Sequence, residues 1–149
     1  MQGLYIQWTY PAQVGQRVAF GTFVVENSTS APFRIISVTV TNNPKGLVVH
    51  TGMYPVSKKS IGIKVGWVPV RLTPFRIAPG SGGWAEVIVN ERATMAGVFT
   101  IQGVLMRYIW KGHTYQAYLR DQFTLCTGPE AKQRCYKPIP PPPTQWPGG

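Results

Sequence analysis

Carboxylates and histidines, which move protons in most enzymes, are scarce in this chain of 149 residues. Such catalysis needs a positioned acid or base and often a second group that orients it. The few groups present are scattered along the chain, so few such pairs can form, and we expect a protein that is not an enzyme. An enzyme would need a deep pocket that gathers one of the two histidines with a carboxylate. The complete set is Glu26, Glu86, Glu91, Asp121, Glu130, His50 and His113.

Metal and cofactor sites are not expected either. A hard cation needs several oxygen ligands close together, and the acidic residues form no cluster in the sequence. A blue-copper site needs two histidines, a cysteine and usually a methionine, and in the usual pattern one histidine follows the cysteine closely. No histidine follows Cys126 or Cys135. We therefore interpret His50 and His113 as ordinary surface or strand-end residues and predict no metal and no cofactor.

The two cysteines, Cys126 and Cys135, allow two interpretations. They can form a disulfide that ties the end of the chain to the domain, or they can be independent free thiols in a reducing compartment. They are not spaced as Cys-x-x-Cys, so a redox motif or a zinc knuckle is not expected. We predict the disulfide, and a closed loop of this size would stabilise the fold by about 2.5–3 kcal/mol.

Positive charge is concentrated in the middle of the chain. Lysine and arginine total 15 against five acidic residues, for a net charge of +10. Residues 45–76 contain no acid, and we predict that their basic side chains contact an anionic ligand such as a phosphorylated, sulfated or acidic-sugar polymer. The alternative is a solvated basic face that keeps the protein soluble. The predicted contact residues are Lys45, Lys58, Lys59, Lys64, Arg71 and Arg76.

Apolar residues alternate with polar ones between frequent glycine and proline breaks, which is typical of short strands with one buried face. This pattern predicts an all-β protein, a two-sheet sandwich of about seven or eight strands, with a barrel as the alternative. The alternation changes phase at Gly103, which predicts a bulge there. It is interrupted at Asp121, so we expect a bulge or strand end near that residue. The predicted strands are 4–9, 17–26, 33–41, 47–51, 71–78, 84–90, 98–110 and 113–127.

Two segments of the chain resemble bacterial immunoglobulin-like sandwiches. The first segment resembles the last strands of such modules. It contains a strand from Trp84 to Asn90, a corner from Ala93 to Phe99, and then two strands joined by the Lys111-Gly112 turn. Asn27-Ser28-Thr29, followed by the strand that begins at Phe33, resembles their first hairpin. The resemblance covers about residues 17–127 and implies an immunoglobulin-like fold. Many such modules are spacers or binding units of exported and surface proteins.

The end of the chain has a different composition. Residues 138–143 form a polyproline run, which predicts an extended tail outside the core. We therefore divide the chain into a sandwich at 1–127 and a cysteine-bounded loop with a proline-rich tail at 128–149. Trp146 in the tail is a candidate anchor for a partner.

No apolar run is long enough for a transmembrane helix, and residues 1–5 lack the pattern of a signal peptide. The protein is then cytosolic, or an export segment has been removed. We expect a non-enzymatic, extracellular or cell-surface immunoglobulin-like module for binding or support, with a protein or an anionic polymer as partner and an anchor outside this sequence. The alternative is a subunit of a filament or virion surface that self-assembles by strand or terminus exchange.

Overall fold

The structure, a computed structural model, describes residues 7–57, 59–71, 75–80 and 84–135. These residues form eleven strands and one short helix, so the prediction of an all-β protein is confirmed. The strands are β1 (Gln7–Ala12), β2 (Arg17–Glu26), β3 (Phe33–Val40), β4 (Leu47–Pro55), β5 (Ile63–Val65), β6 (Phe75–Ile77), β7 (Trp84–Ala93), β8 (Gly97–Ile101), β9 (Val104–Trp110), β10 (His113–Leu119) and β11 (Gln122–Thr127); the helix is α1 (Ala131–Cys135).

The strand count exceeds the predicted seven or eight for two reasons. Each long strand of the late hairpin is divided, which yields β8 and β9 on one side and β10 and β11 on the other. The three-residue strand β5 forms in a segment that the sequence predicts to be irregular. The sequence does not predict so short a strand, because three residues carry too little alternation to be distinctive.

The strands are arranged in three sheets. Sheet 1 has the order β4-β7-β2-β5, sheet 2 the order β10-β9-β3-β6, and sheet 3 the order β1-β11-β8. All strand pairs are antiparallel except β1 with β11, which is parallel. β9 follows β8 along one side of the late hairpin, and β11 follows β10 along the other. Sheet 2 therefore contains β9 and β10, next to the Lys111-Gly112 turn, and sheet 3 contains β8 and β11.

The prediction of a bulge at Gly103 is wrong, because the strand is interrupted there, between the end of β8 and the start of β9. The predicted bulge or strand end near Asp121 is confirmed, since β10 ends just before it. Asn42 supports the first interruption. Its side-chain amide donates to the carbonyl of Thr100 at 2.9 Å, and its oxygen accepts from the amide of Gln102 at 2.8 Å. A Cβ on Gly103 would lie 2.6 Å from the ring of Tyr118, so this position requires glycine for close approach.

One hydrophobic core joins the three sheets, as in a sandwich. The alternating residues Val18 and Phe20 of β2 supply it from sheet 1, Ile35 of β3 from sheet 2, and Phe123 and Leu125 of β11 from sheet 3. These five side chains are almost completely buried. Because one face of each sheet is apolar, the sheets stack on these faces and exclude water from the interior.

The opposite face of sheet 1 is covered by residues 59–71, here called the crossover segment. Val68 of this segment packs with Ala19 of β2 and Ile88 of β7 in a second, smaller apolar cluster. The side chain of Asn90 accepts from the amide of Val68 at 3.1 Å and donates to its carbonyl at 2.9 Å. The Glu86 carboxylate accepts from the amide of Ile61 at 2.8 Å. β7 is therefore covered on both faces, which explains why nearly all of it is buried.

Several predictions concern residues that the structure does not describe. The proline run at 138–143, Trp146 and Lys58 all lie outside the described residues. Within the described ranges, no helix is long and apolar enough to span a membrane.

Candidate functional site

The predicted disulfide is present between Cys126 and Cys135. Cys126 lies in β11, where it pairs with Pro11 of β1 and Val98 of β8, and Cys135 is the last residue of α1. Both cysteines are buried. The bond therefore ties α1 to sheet 3, against which the helix also packs through β1, β8 and β11.

The predicted basic residues do not share one sheet face. Lys64 lies in β5 at one edge of sheet 1, whereas Arg71 forms a bridge with Met53 of β4 at the opposite edge. Lys45 lies in the turn before β4, and Lys59 lies in the loop after it. Arg76 lies in β6, which belongs to sheet 2. The crossover segment causes this separation, because it carries the chain across sheet 1 from β5 to β4.

Arg76 instead joins two arginines that the prediction did not include. In the register of β3 and β6, Arg34 stands directly opposite Arg76. Arg107 of β9 pairs with Ser37 of β3, beyond a bulge in β3. The neighbours of these arginines in their own strands, such as Ile35 and Met106, are buried in the core, so all three project from the other face of sheet 2. We call Arg34, Arg76 and Arg107 the arginine face; all three are exposed.

The core side of sheet 2 opens into an aromatic cleft. A cavity of about 200 Å³ lies between β2 and sheet 2, and an adjacent one of about 260 Å³ shares Phe33 and Tyr108 with it. The rings of Tyr108 and Tyr115 stack with centroids 5.4 Å apart. Phe23 is 45% exposed and Tyr115 is 40% exposed. Within the described ranges, these two are the exposed aromatic side chains, and both border the cleft.

Glu91 is a buried titratable group that the sequence analysis missed. It lies in β7 between Val18 of β2 and Val49 of β4, it is fully buried, and neither carboxylate oxygen has a hydrogen-bond partner. Desolvation by burial raises the pKa of Glu91 well above its ordinary value of 4.5. The sequence did indicate that Glu91 is buried. Ala85, Val87 and Val89 alternate on the core face of this strand, and Glu91 is the next residue on that face.

The histidines lie where the sequence predicted, at exposed positions in β4 and at the start of β10. The His50 ring packs at a tilt against Trp67 with ring centroids 4.7 Å apart, and the Arg17 guanidinium lies 4.8 Å from the centroid of the Trp67 ring. In the part of the chain that the structure describes, no three histidine, cysteine or acidic side chains gather as metal ligands. The contacts of His50 and Arg17 with Trp67 instead hold the crossover segment on sheet 1.

Asn27 begins an Asn-Ser-Thr sequence that fits the pattern for N-glycosylation. Its side chain is fully buried and donates to the carbonyls of Ala31 at 2.8 Å and Ile77 at 3.0 Å. Its oxygen accepts from the Thr29 hydroxyl at 2.7 Å. These bonds organise the turn between β2 and β3, and a sugar on Asn27 would have to break them.

No protein-family model matches the chain, and the search of curated proteins finds no match. The function is therefore inferred from the geometry described above.

Proposed function

We propose that the protein is an exported or cell-surface immunoglobulin-like module with a binding or supporting role, and that its partner is an anionic polymer. The observation that carries the proposal is the disulfide between Cys126 and Cys135. Structural disulfides persist in oxidising environments outside the cytosol and are rare within it.

The strand pairing supports an immunoglobulin-like arrangement. In that fold the second strand pairs with the fifth in one sheet, and the third pairs with the sixth in the other. Here β2 pairs with β7, which in turn pairs with β4, and β3 pairs with β9, which in turn pairs with β10. The equivalent immunoglobulin orders are D-E-B and G-F-C. The parallel pair of β1 and β11 and the crossover segment are additions to this frame.

The placement of the acidic residues supports a role without catalysis. Glu91 is enclosed among apolar side chains, and Glu86 is buried and bonded to the crossover segment. Among the described residues, the cavities beside α1, in the aromatic cleft and beside Arg71 are lined by neither of these carboxylates and by no histidine. A basic module with few exposed acids is suited to hold an anionic partner by charge, and such binding needs no reacting group.

The state of the cysteines in the source cells tests this function. Cells are lysed in denaturant with an alkylating reagent, and the mass of the protein shows whether Cys126 and Cys135 were protected. We expect no alkylation until a reductant is added. Alkylation of both cysteines without reductant would count against an exported protein.

A second candidate function, self-assembly by strand addition, is favoured by the character of β10. It is an edge strand of sheet 2, and within the described ranges no strand pairs with its outer side at residues 113–117. Natural edge strands are usually protected by charge or proline. The edges at β1, β4, β5 and β6 contain Pro11, Pro55, Lys64 and Arg76. The remaining edges, β8 and β10, contain no proline, lysine, arginine or acid, and β10 is the longer, with seven residues against five. The occupant in this case is the same strand of a second copy.

Light scattering over a wide concentration range tests assembly. If β10 joins two copies, the mass rises with concentration, and Gln116→Lys suppresses the rise because it places a charge on the exposed edge. Gln102→Lys adds the same charge at an exposed position outside the strands and should leave the rise unchanged. A constant monomer mass for the unmodified protein at high concentration would exclude this function.

A further inference from the structure

We propose that the arginine face of sheet 2 is the binding surface for an acidic polysaccharide. This inference rests on the proposed function and names the site and the ligand class. The arginine face replaces the basic residues predicted within 45–76 as the ligand contact. Of those predicted residues, only Arg76 belongs to this face. The surface is assembled by strand pairing from residues that are distant in the sequence, namely Arg34, Arg76 and Arg107.

The first argument is the uncompensated charge. Arg34 and Arg76 stand directly opposite each other, and like charges in that position destabilise a sheet. A single acidic residue on the same face would remove the repulsion. However, the four strands of sheet 2 contain no aspartate or glutamate. A polymer with several negative groups supplies the missing charge, and its binding relieves the repulsion between the two guanidinium groups.

The second argument is the spacing of the arginines. Opposing side chains on a sheet have Cβ atoms about 5 Å apart, and diagonal neighbours are about 7–8 Å apart. A guanidinium group forms paired hydrogen bonds with a carboxylate, so neighbouring arginines on this face offer several anion contacts to one extended chain. The surface continues across β9 and β10, where the exposed side chains of Thr114 and Gln116 can bond sugar hydroxyls. Four strands span about 14 Å at the usual separation, which suits an extended ligand.

The third argument favours a polysaccharide over a nucleic acid. Proteins that bind single-stranded nucleic acid combine basic groups with exposed aromatic rings on which bases stack. Here Phe33, Tyr108 and Trp110 lie on the core side of sheet 2 with the aromatic cleft, away from the arginines. Tyr118 of β10 does lie on the side of the arginines, but its ring is half-buried and packs against Gly103. A duplex is read by an element that enters a groove, and a broad four-stranded sheet face does not do so.

Binding of alginate, a carboxylated polysaccharide, tests the proposal by titration calorimetry at low and physiological salt. The unmodified protein is expected to bind alginate but not dextran of similar length. The combined variant Arg34→Gln, Arg76→Gln and Arg107→Gln should lose at least about tenfold in affinity, because each substitution removes a charge-assisted hydrogen bond. It should also show a weaker salt dependence.

The matched control is Lys45→Gln, Lys59→Gln and Lys64→Gln, which removes the same net charge from positions outside sheet 2. At physiological salt it should retain the affinity within about threefold, because these lysines do not belong to the arginine face and the Debye length there is only about 8 Å. Equal losses in both variants would overturn the arginine face but leave the anionic partner in place. Absence of alginate binding in the unmodified protein would overturn both, and tighter binding of single-stranded DNA would overturn the polysaccharide. Thermal unfolding confirms that each variant is folded.

Discussion

Glu91 shows how one residue can set the pH response of a β-protein. Its side chain occupies a place in β7 that alternation assigns to the core, between Val18 and Val49, and it has no hydrogen-bond partner there. A buried carboxylate without a partner favours its neutral form, because charge is costly to desolvate. The position therefore lowers stability under conditions in which a free carboxyl would ionise.

Stability is predicted to fall as the pH rises above about 4.5, the ordinary pKa of a glutamate carboxyl. Above that pH the unfolded chain releases the Glu91 proton, whereas the folded protein retains it because burial raises its pKa. Each pH unit between the two pKa values costs up to about 1.4 kcal/mol of unfolding free energy. Glu91→Gln removes this loss, so the variant should gain stability over the unmodified protein as the pH increases.

Urea unfolding at several pH values measures this difference. Glu130→Gln is the matched control, because Glu130 is exposed and its removal should leave the pH profile almost unchanged. A constant difference between Glu91→Gln and the unmodified protein from pH 4 to pH 8 would contradict the assignment of this titration to Glu91.

Gly103 is the residue on which the division between β8 and β9 depends. A side chain there would meet the Tyr118 ring at 2.6 Å and the Leu119 carbonyl at 2.9 Å. Gly103→Ala is therefore expected to destabilise the protein by about 1–3 kcal/mol, the range for overpacking a tight site. The exposed neighbour gives the control Gln102→Ala, which should change the unfolding free energy by less than about 0.5 kcal/mol. Equal stability of the two variants would show that the contact can relax.

Among the elements, the strands were easier to predict from the sequence than their partners. The boundaries of β2 and β3 follow from period-two alternation between turn residues, and the prediction is correct within one residue. β5 was missed because three residues between Gly62 and Gly66 carry too little pattern. The arginine face was missed because it depends on register, and register is set by packing between distant strands. The Cys126–Cys135 bond was predicted correctly as one of the two interpretations that the cysteine pair allows.

The crossover segment is held on sheet 1 by the side chain of Asn90. This amide bonds both the N–H and the carbonyl of Val68, as a neighbouring strand would. Asn90→Ala leaves these two backbone groups buried without partners, so we expect a loss of about 2–4 kcal/mol. The contact of Trp67 with His50 should loosen as well, and Trp67 fluorescence reports it. Asn43→Ala in an exposed turn is the control, and loss of stability without faster amide exchange at Val68 would contradict this role.

The disulfide stabilises the junction of α1 with sheet 3. Cys126→Ala with Cys135→Ala is expected to lower the unfolding free energy by about 2.5–3 kcal/mol, because the open loop regains entropy in the unfolded chain. The unmodified protein with reductant should unfold like the variant, and the variant itself should not respond to reductant. A reductant effect on the variant would point to another cause.

At the scale of the whole molecule, the net charge of +10 opposes the compact state that the core favours. The acids do little to offset it, since Glu86 and Glu91 are buried and only Glu26 and Glu130 are exposed among the glutamates. Salt shortens the range of repulsion, with a Debye length that falls from about 30 Å at 0.01 M to about 8 Å at 0.15 M. The melting temperature should therefore rise over this interval of sodium chloride.

The arginine face should account for a measurable part of that rise, because Arg34 and Arg76 are closer to each other than most exposed charges are. Arg34→Gln is expected to raise the melting temperature at low salt and to reduce the further gain on adding salt. Lys59→Gln removes an equal charge from a loop and should have a smaller effect on both. Since repulsion within the free protein is the same energy that a bound polyanion relieves, a melting temperature insensitive to salt in all three proteins would also weaken the case for an anionic ligand at this face.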